Sequence, residues 1–294
     1  DMIGDVSFMA GGFPARFGDK LSAVMDITLR DGNRETTDAQ LDLNFAGFGG
    51  QIEGPLGKGS YLLSARRSYL DLLVKAVDVG STIAPWYGDA HAKLVFNPST
   101  THRVSVLAQF SDDHNNPDAQ AAVDNDMQYY GPQDIYNGTA GITWRAMWSD
   151  RVFSTSSMSY TGMWFKEKFR KTGSNDDVFS NDSQESWISL RNTTHVRLSE
   201  TASMEAGFDA KGLWNRYENR YAAMPDALGM PQPERLFIED VSSVLLGLHT
   251  SLTVAPAPGL GLTFGLRADH SSWNESMEFS PRVSASYRLG ALTT

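Results

Sequence analysis

Cysteine is absent from all 294 residues. Disulfides, thiol nucleophiles and zinc–thiolate centres are excluded together. Positive charge is also short, with 25 Lys and Arg against 35 Asp and Glu and a net charge of −10. Nucleic-acid binding needs a basic face to neutralise phosphates, so no nucleic-acid partner is expected. No apolar run approaches the ~18 residues that cross a bilayer as a helix, but strands that turn half their side chains to a wet lumen escape that test. Catalytic signatures are missing too: the chain has no G-x-S-x-G elbow, no phosphate loop with its lysine and no H-E-x-x-H.

What the sequence does contain is alternation. From Thr37 onward about twelve segments carry apolar residues at every second position. Leu41, Leu43 and Phe45 oppose Gln40, Asp42 and Asn44; Ala90, Ala92, Leu94 and Phe96 oppose Asp89, His91 and Lys93. Further on, Met204, Ala206, Phe208 and Ala210 oppose Ser203, Glu205, Asp209 and Lys211. Strands of roughly 9 to 15 residues are long for a soluble sheet and match the 9 to 11 that cross a bilayer at a tilt.

The connections alternate as well. Short ones, at 56–59, 97–101, 149–151, 199–201 and 255–259, take turns with long polar excursions at 68–88, 112–136, 170–184 and 217–239. Tight turns at one end and large loops at the other describe an outer-membrane barrel. A soluble sandwich or barrel shares the alternation but has no reason to gather every long loop at one end. Residues 69–79, with Leu70, Leu73, Val74 and Val77 at helical spacing, predict a short helix or an irregular loop in the first excursion. Tyr61, Trp86, Tyr87, Trp148, Trp164, Trp187, Trp214, Trp273 and Tyr287 lie near strand ends, as interfacial girdles or as ordinary sheet aromatics.

The stretch from Gly11 to Asn33 breaks the theme. A glycine turn, Gly11-Gly12-Phe13-Pro14, leads through Arg16-Phe17-Gly18 into a strand from Leu21 to Arg30, whose Leu21, Ala23, Met25, Ile27 and Leu29 share a face; Asp31-Gly32-Asn33 stops it with residues that tolerate positive φ. Alone, it also fits a hairpin of a soluble β-protein. The order GGFPARFG, LSAVMDITLRDGN resembles the end of the plug domain of TonB-dependent outer-membrane receptors. Ser64-Ala65-Arg66-Arg67-Ser68-Tyr69 and Phe279-Ser280-Pro281-Arg282-Val283-Ser284 are similar to barrel segments of that family.

The resemblance implies an all-β chain: residues 1–33 as the C-terminal end of a plug and 34–294 as the N-terminal part of a transmembrane antiparallel β-barrel. The family closes its barrel with about twenty-two strands. With no signal peptide and an opening in mid-domain, the sequence is therefore read as a segment of a longer receptor. The resemblance further implies location in the bacterial outer membrane and import of a scarce nutrient of the siderophore, cobalamin, glycan or peptide class. Expected partners are outer-membrane lipid, the TonB energising complex acting through a segment outside this sequence, and possession by some relatives of a surface lipoprotein lid extends the partner set. A passive porin and a structural or docking barrel stand as alternatives.

Site residues follow from these placements. Tyr129, Tyr130 and Tyr136, and Trp214, Tyr217 and Tyr221 with Arg216 and Arg220, combine aromatic area and charge at the loop end and are candidate ligand contacts. Arg66, Arg145, Arg191, Arg197, Arg267 and Arg282 are expected to face the plug or lumen, compensated by Asp42, Glu205, Asp209 and Asp269. No metal site or cofactor is expected: His91, His195 and His249 fall on separate strands, and the acidic loop holding Asp112, Asp113, His114, Asp118, Asp124 and Asp126 lacks calcium-loop spacing. The chain is not expected to be an enzyme; the nearest catalytic pair is His270 beside Asp269.

Overall fold

The computed structural model describes residues 2–20, 22–44, 47–71, 74, 85–225 and 228–288. A hairpin of β1 (Ile3–Met9) and β2 (Val24–Leu29) forms a two-stranded sheet of its own. The rest builds one antiparallel wall. Its first strands are β3 (Asp38–Asn44), β4 (Gly47–Leu56), β5 (Gly59–Ser68), β6 (Trp86–Phe96) and β7 (His102–Asn115). A short helix, α1 (Ala119–Asp124), and β8 (Tyr129–Tyr130) precede β9 (Gln133–Ser149), β10 (Val152–Lys171), β11 (Asp177–Arg197) and β12 (Ala202–Tyr221). A small pair, β13 (Met224–Pro225) and β14 (Pro231–Gln232), leads to β15 (Arg235–Ala257), β16 (Leu260–Ser271) and β17 (Ser276–Tyr287).

The wall is a meander from β3 to β17 in chain order, with β8 added beside β10. Strict alternation gives it two unlike faces. The inner face is marked by side chains that meet residues 13–33, among them Glu53, Lys93, Glu205, Arg267 and Arg282. The outer face is apolar: Leu41 and Leu43 on β3 are 90% and 80% exposed, and Met204, Leu252, Phe264 and Val283 lie in register across β12, β15, β16 and β17, with Phe208 opposite Leu248 further up the same face. On β12 the band runs from Met204 to Trp214 and stops at Arg216. Ten residue-to-residue steps at ~3.3 Å each, tilted by ~40°, give a band about 25 Å tall, the height expected of a lipid-facing surface. No helix among the described residues is long and apolar enough to cross a membrane.

The structure corrects several sequence expectations. The excursions at 170–184 and 217–239 are largely strand: β10 and β11 pair as far as Arg170 with Asp177, and β12 and β15 as far as Tyr221 with Arg235. In these upper segments the outer face of β10, β11 and β12 turns polar, with Lys168, Ser180 and Arg220 in register, so the side-chain pattern reads as loop, while the backbone ladder needs no apolar outer face to continue. Asp112, Asp113 and His114 belong to β7 rather than to a loop, and Asp118 caps α1 by accepting from Ala121 N at 2.8 Å. In the 69–79 segment Leu70, Asp71 and Val74 are helical; Leu73 and Val77 lie outside the described residues, as do Leu21 and Phe45. Of the girdle aromatics, Tyr87 and Trp187 fall on the inner face by alternation, whereas Trp148, Trp164 and Trp214 face outward. On β2, Met25 and Ile27 are exposed opposite Phe8 and Val6, while Val24 is buried.

Candidate functional site

The inner face holds two zones. The lower one seats residues 13–33. The guanidinium of Arg282 donates to the carbonyl oxygens of Phe13 at 3.0 Å and Phe17 at 2.9 Å, and also to that of Pro14, while it lies 4.8 Å from the Phe13 ring centroid. Arg267, only 3% exposed, reaches the Ala15 and Arg16 carbonyls at 3.4 Å each and is neutralised by Asp209 at 2.8 Å and Asp269 at 2.7 Å. Burial of such a cation is tolerable because two carboxylates flank it. Gly18 makes room for it, since a Cβ there would fall 2.3 Å from Arg267 Nη2.

Other ties run the opposite way. Arg16 binds Glu205 at 2.9 Å, and Arg30 binds Glu53, which also accepts from Asn33 N at 2.8 Å. Asp31 sits between Lys93 at 3.1 Å and Arg103. Burial pushes the Asp31 carboxyl up, but the hydrogen bond from Lys93 and the charges of Arg103 and Lys93 outweigh it and hold the group below the ordinary carboxylate range. Asp31-Gly32-Asn33 is not the positive-φ stop the sequence suggested. Gly32 is there for close approach: a Cβ would lie 1.9 Å from the Tyr61 carbonyl oxygen, and inner-face Leu62 and Val95 are fully buried. A cavity of about 920 Å³ remains between residues 12–16 and the wall at its short-turn end, with Phe153, His195 and Glu205 in its lining.

The remaining predicted arginines divide. Arg145 borders a cavity shared with Leu29, Arg30 and Asp31. Arg66 pairs with Asp89 and Arg191 with Asp209, both within the wall, and Arg197 donates to the Asp150 carbonyl at 3.2 Å in a short turn. Asp42 accepts from Gln40 at 2.7 Å. Arg16, Glu53, Asp31, Lys93 and Arg103 were not singled out from sequence. The signal available was their position: charged residues on the wet side of strands, or inside the GGFPARFG and DGN runs.

The upper zone lies where β10, β11 and β12 extend furthest. Phe169, Phe179 and Tyr221 occupy successive register positions on the inner face, with ring centroids 6.0 and 5.0 Å apart, and Tyr129 joins them from β8. Further down the same face, Asn181 donates to Glu167 at 2.9 Å and Tyr217 donates to Glu185 at 2.9 Å; Lys211, 4.4 Å from the Trp187 ring centroid, belongs to the lower zone, where it lines a cavity with Gly18 and Asp19. Of the predicted ligand contacts this zone gathers Tyr129, Tyr217 and Tyr221. Tyr130 is buried, its hydroxyl bonded to Asn175. Tyr136 and Trp214 are on the outer face, with Arg216 paired to Glu218 at 3.5 Å and Arg220 to Glu234. Trp214 and Tyr217 are three residues apart, and an odd separation puts them on opposite faces. Phe169 and Phe179 went unnoticed because only cross-strand register brings them to Tyr221.

His270 and Asp269 also separate. The carboxylate faces inward to Arg267, whereas His270 Nδ1 lies 3.0 Å from the Ser276 carbonyl oxygen. Neighbours in a strand cannot share one face, so they do not form an acid–base pair. His114 meets Asp134 and lies 5.7 Å from the Trp86 ring.

An apolar exterior, a polar interior and an N-terminal segment tethered to that interior define part of a plugged membrane-barrel wall. Solved structures with this fold include siderophore receptors and an outer-membrane transporter. The ferric enterobactin receptor of Pseudomonas aeruginosa, as a G324V mutant, matches 99% of this chain over 47% of its own, with TM-score 0.67 and 16% identity. The siderophore receptor of Acinetobacter baumannii matches 99% over 46%, with TM-score 0.70 and 15% identity. The pyoverdine outer-membrane receptor of Pseudomonas aeruginosa, bound to pyoverdine, matches 98% over 49%, with TM-score 0.71 and 12% identity. At these identities the likeness is one of fold, and the chain spans about half the length of the structures it matches. No family model matches the sequence, and no curated protein does.

Proposed function

We propose that the chain is part of a TonB-dependent receptor of the bacterial outer membrane: residues 1–33 are the end of its plug, and residues 34–294 about the first half of its barrel. The receptor imports a scarce nutrient. Ligand is captured at the loop end of the barrel, and force from the inner-membrane TonB complex moves the plug to open a path. The supporting observation is the seating of residues 13–33 on the polar side of a wall whose other side is an apolar band, through Arg267, Arg282, Arg16 and Glu53. A passive pore has no use for a segment held across its lumen. Tyr129, Tyr217 and Tyr221 contact ligand in this reading, and Arg145, Arg267 and Arg282 hold or border the plug.

The test is uptake by cells carrying the full-length protein, with and without a working TonB complex. Accumulation that requires the complex is expected. Equal accumulation without it, or solute-driven swelling of liposomes containing the purified protein, overturns the proposal in favour of a passive channel.

A further inference from the structure

One corner of the lower zone carries more positive charge than its carboxylates answer. Arg103 on β7 and Arg145 on β9 stand directly opposite each other in register, and both line a cavity of about 270 Å³ beside residues 28–31. Like charges so placed repel. Arg103 gives its Nη2 to Asp31, whereas Arg145 is exposed and, among the described residues, has no ion-pair or hydrogen-bond partner. Asp31 is shared three ways, since Lys93 and Arg34 each reach it at 3.1 Å as well. Arg30, which also borders the cavity, is answered by Glu53. Lys93, Arg34, Arg103 and Arg145 therefore stand against one carboxylate. The Lys93 side chain is 11% exposed, so water screens its part of this excess poorly. The next pair along the same face is Ser105 and Thr143, which line the cavity too. Two guanidinium groups and two hydroxyls thus form a two-by-two patch, about 5 Å across the strands and about 7 Å along them. Guanidinium forks with hydroxyl donors beside them suit an oxyanion, and the charge excess favours one that carries two charges.

We propose that Arg103, Arg145, Ser105 and Thr143 form a luminal site for a small, doubly charged oxyanion of the phosphate class, bound beside the end of β2. The anion supplies the counter-charge that Arg145 lacks. It also draws on the Arg103 guanidinium that Asp31 uses, and two anions on one set of cations repel each other. Occupancy therefore competes with Asp31 and loosens residues 28–31 from the wall, and by linkage the Asp31 pairing weakens the anion to the same degree. The site stands on the lower luminal face and requires no particular cargo, so it goes beyond the receptor reading.

The experiment titrates inorganic phosphate and sulfate into the full-length protein in detergent, in a phosphate-free buffer of low ionic strength, and follows binding by calorimetry and residues 28–31 by hydrogen exchange. Saturable binding that weakens as chloride is added is expected, with faster exchange at residues 28–31 as the site fills. Arg145→Ala weakens binding about tenfold and removes the effect of phosphate on exchange. Arg145 is exposed and unpartnered, so its loss leaves the wall intact. Asp31→Asn removes the competing charge and tightens phosphate about fivefold, a gain that simple damage to the site would not give. No saturable binding in the millimolar range overturns the site, and so does binding that Arg145→Ala leaves unchanged, which marks an adventitious ion only. Weaker binding in Asp31→Asn overturns the competition with it. None of these results bears on TonB-dependent uptake, so the receptor reading stands or falls separately.

Discussion

Replacing Arg282 by alanine removes the clamp that most directly joins the glycine turn to the wall. Its guanidinium serves the carbonyls of Phe13, Pro14 and Phe17 and packs on the Phe13 ring. Hydrogen bonds from a charged donor contribute ~1.5–3 kcal/mol each, and the lower value applies because the residue is only half-buried. The two bonds of ordinary length give about 3 kcal/mol, and the cation–π contact adds about 0.5 kcal/mol. A loss of about 3.5 kcal/mol raises the undocked population of this segment several hundredfold. Hydrogen exchange on the full-length protein reads this directly: amides of residues 13–18 lose protection in Arg282→Ala while those of β10 to β12 do not. Arg282→Lys keeps the charge but not the planar fork, and recovers part of the protection. Unchanged exchange at residues 13–18 in the alanine variant would refute the clamp and the seating argument with it.

Gly32→Ala forces the chain away from β5, because its Cβ would lie 1.9 Å from the Tyr61 carbonyl oxygen. A cost of about 1–3 kcal/mol is expected, with faster proteolysis near residues 30–36; cleavage at the wild-type rate would show that the contact relaxes freely. Because the chain lacks cysteine, single-cysteine variants report the faces cleanly. Phe208→Cys and Phe264→Cys should react only with a lipid-soluble maleimide and Asn215→Cys with a water-soluble one, and the reverse pattern would invert the wall. Asp31 supplies a pH test. Its lowered pKa means that its pairing with Lys93 and Arg103 is fully present above the ordinary carboxylate value and is lost as pH falls through the lowered one. Protection of β2 amides should hold from neutral pH to about 4 and fall only below it; loss between pH 7 and 5 would point to histidines instead.

Much of the fold was legible because a period of two survives without context: Leu41, Leu43, Phe208 and Phe264 face outward as their alternation required. The GGFPARFG and DGN runs marked the segment that the wall holds. Position along the chain misled where two neighbours were grouped as one site. Trp214 with Tyr217, and Asp269 with His270, are close in sequence and on opposite faces in space.

The sequence by itself determined which side of each strand meets water, since side-chain polarity and strand alternation are local properties. Which residues on the wet side meet was decided only by tertiary structure. Cross-strand register set Phe169, Phe179 and Tyr221 in a row, and docking of the glycine turn brought Arg267 and Arg282 to carbonyls some 250 residues away along the chain. Register comes from a backbone ladder that extends as readily under polar side chains as under apolar ones, so no pattern of residue types foretold where the long strands end.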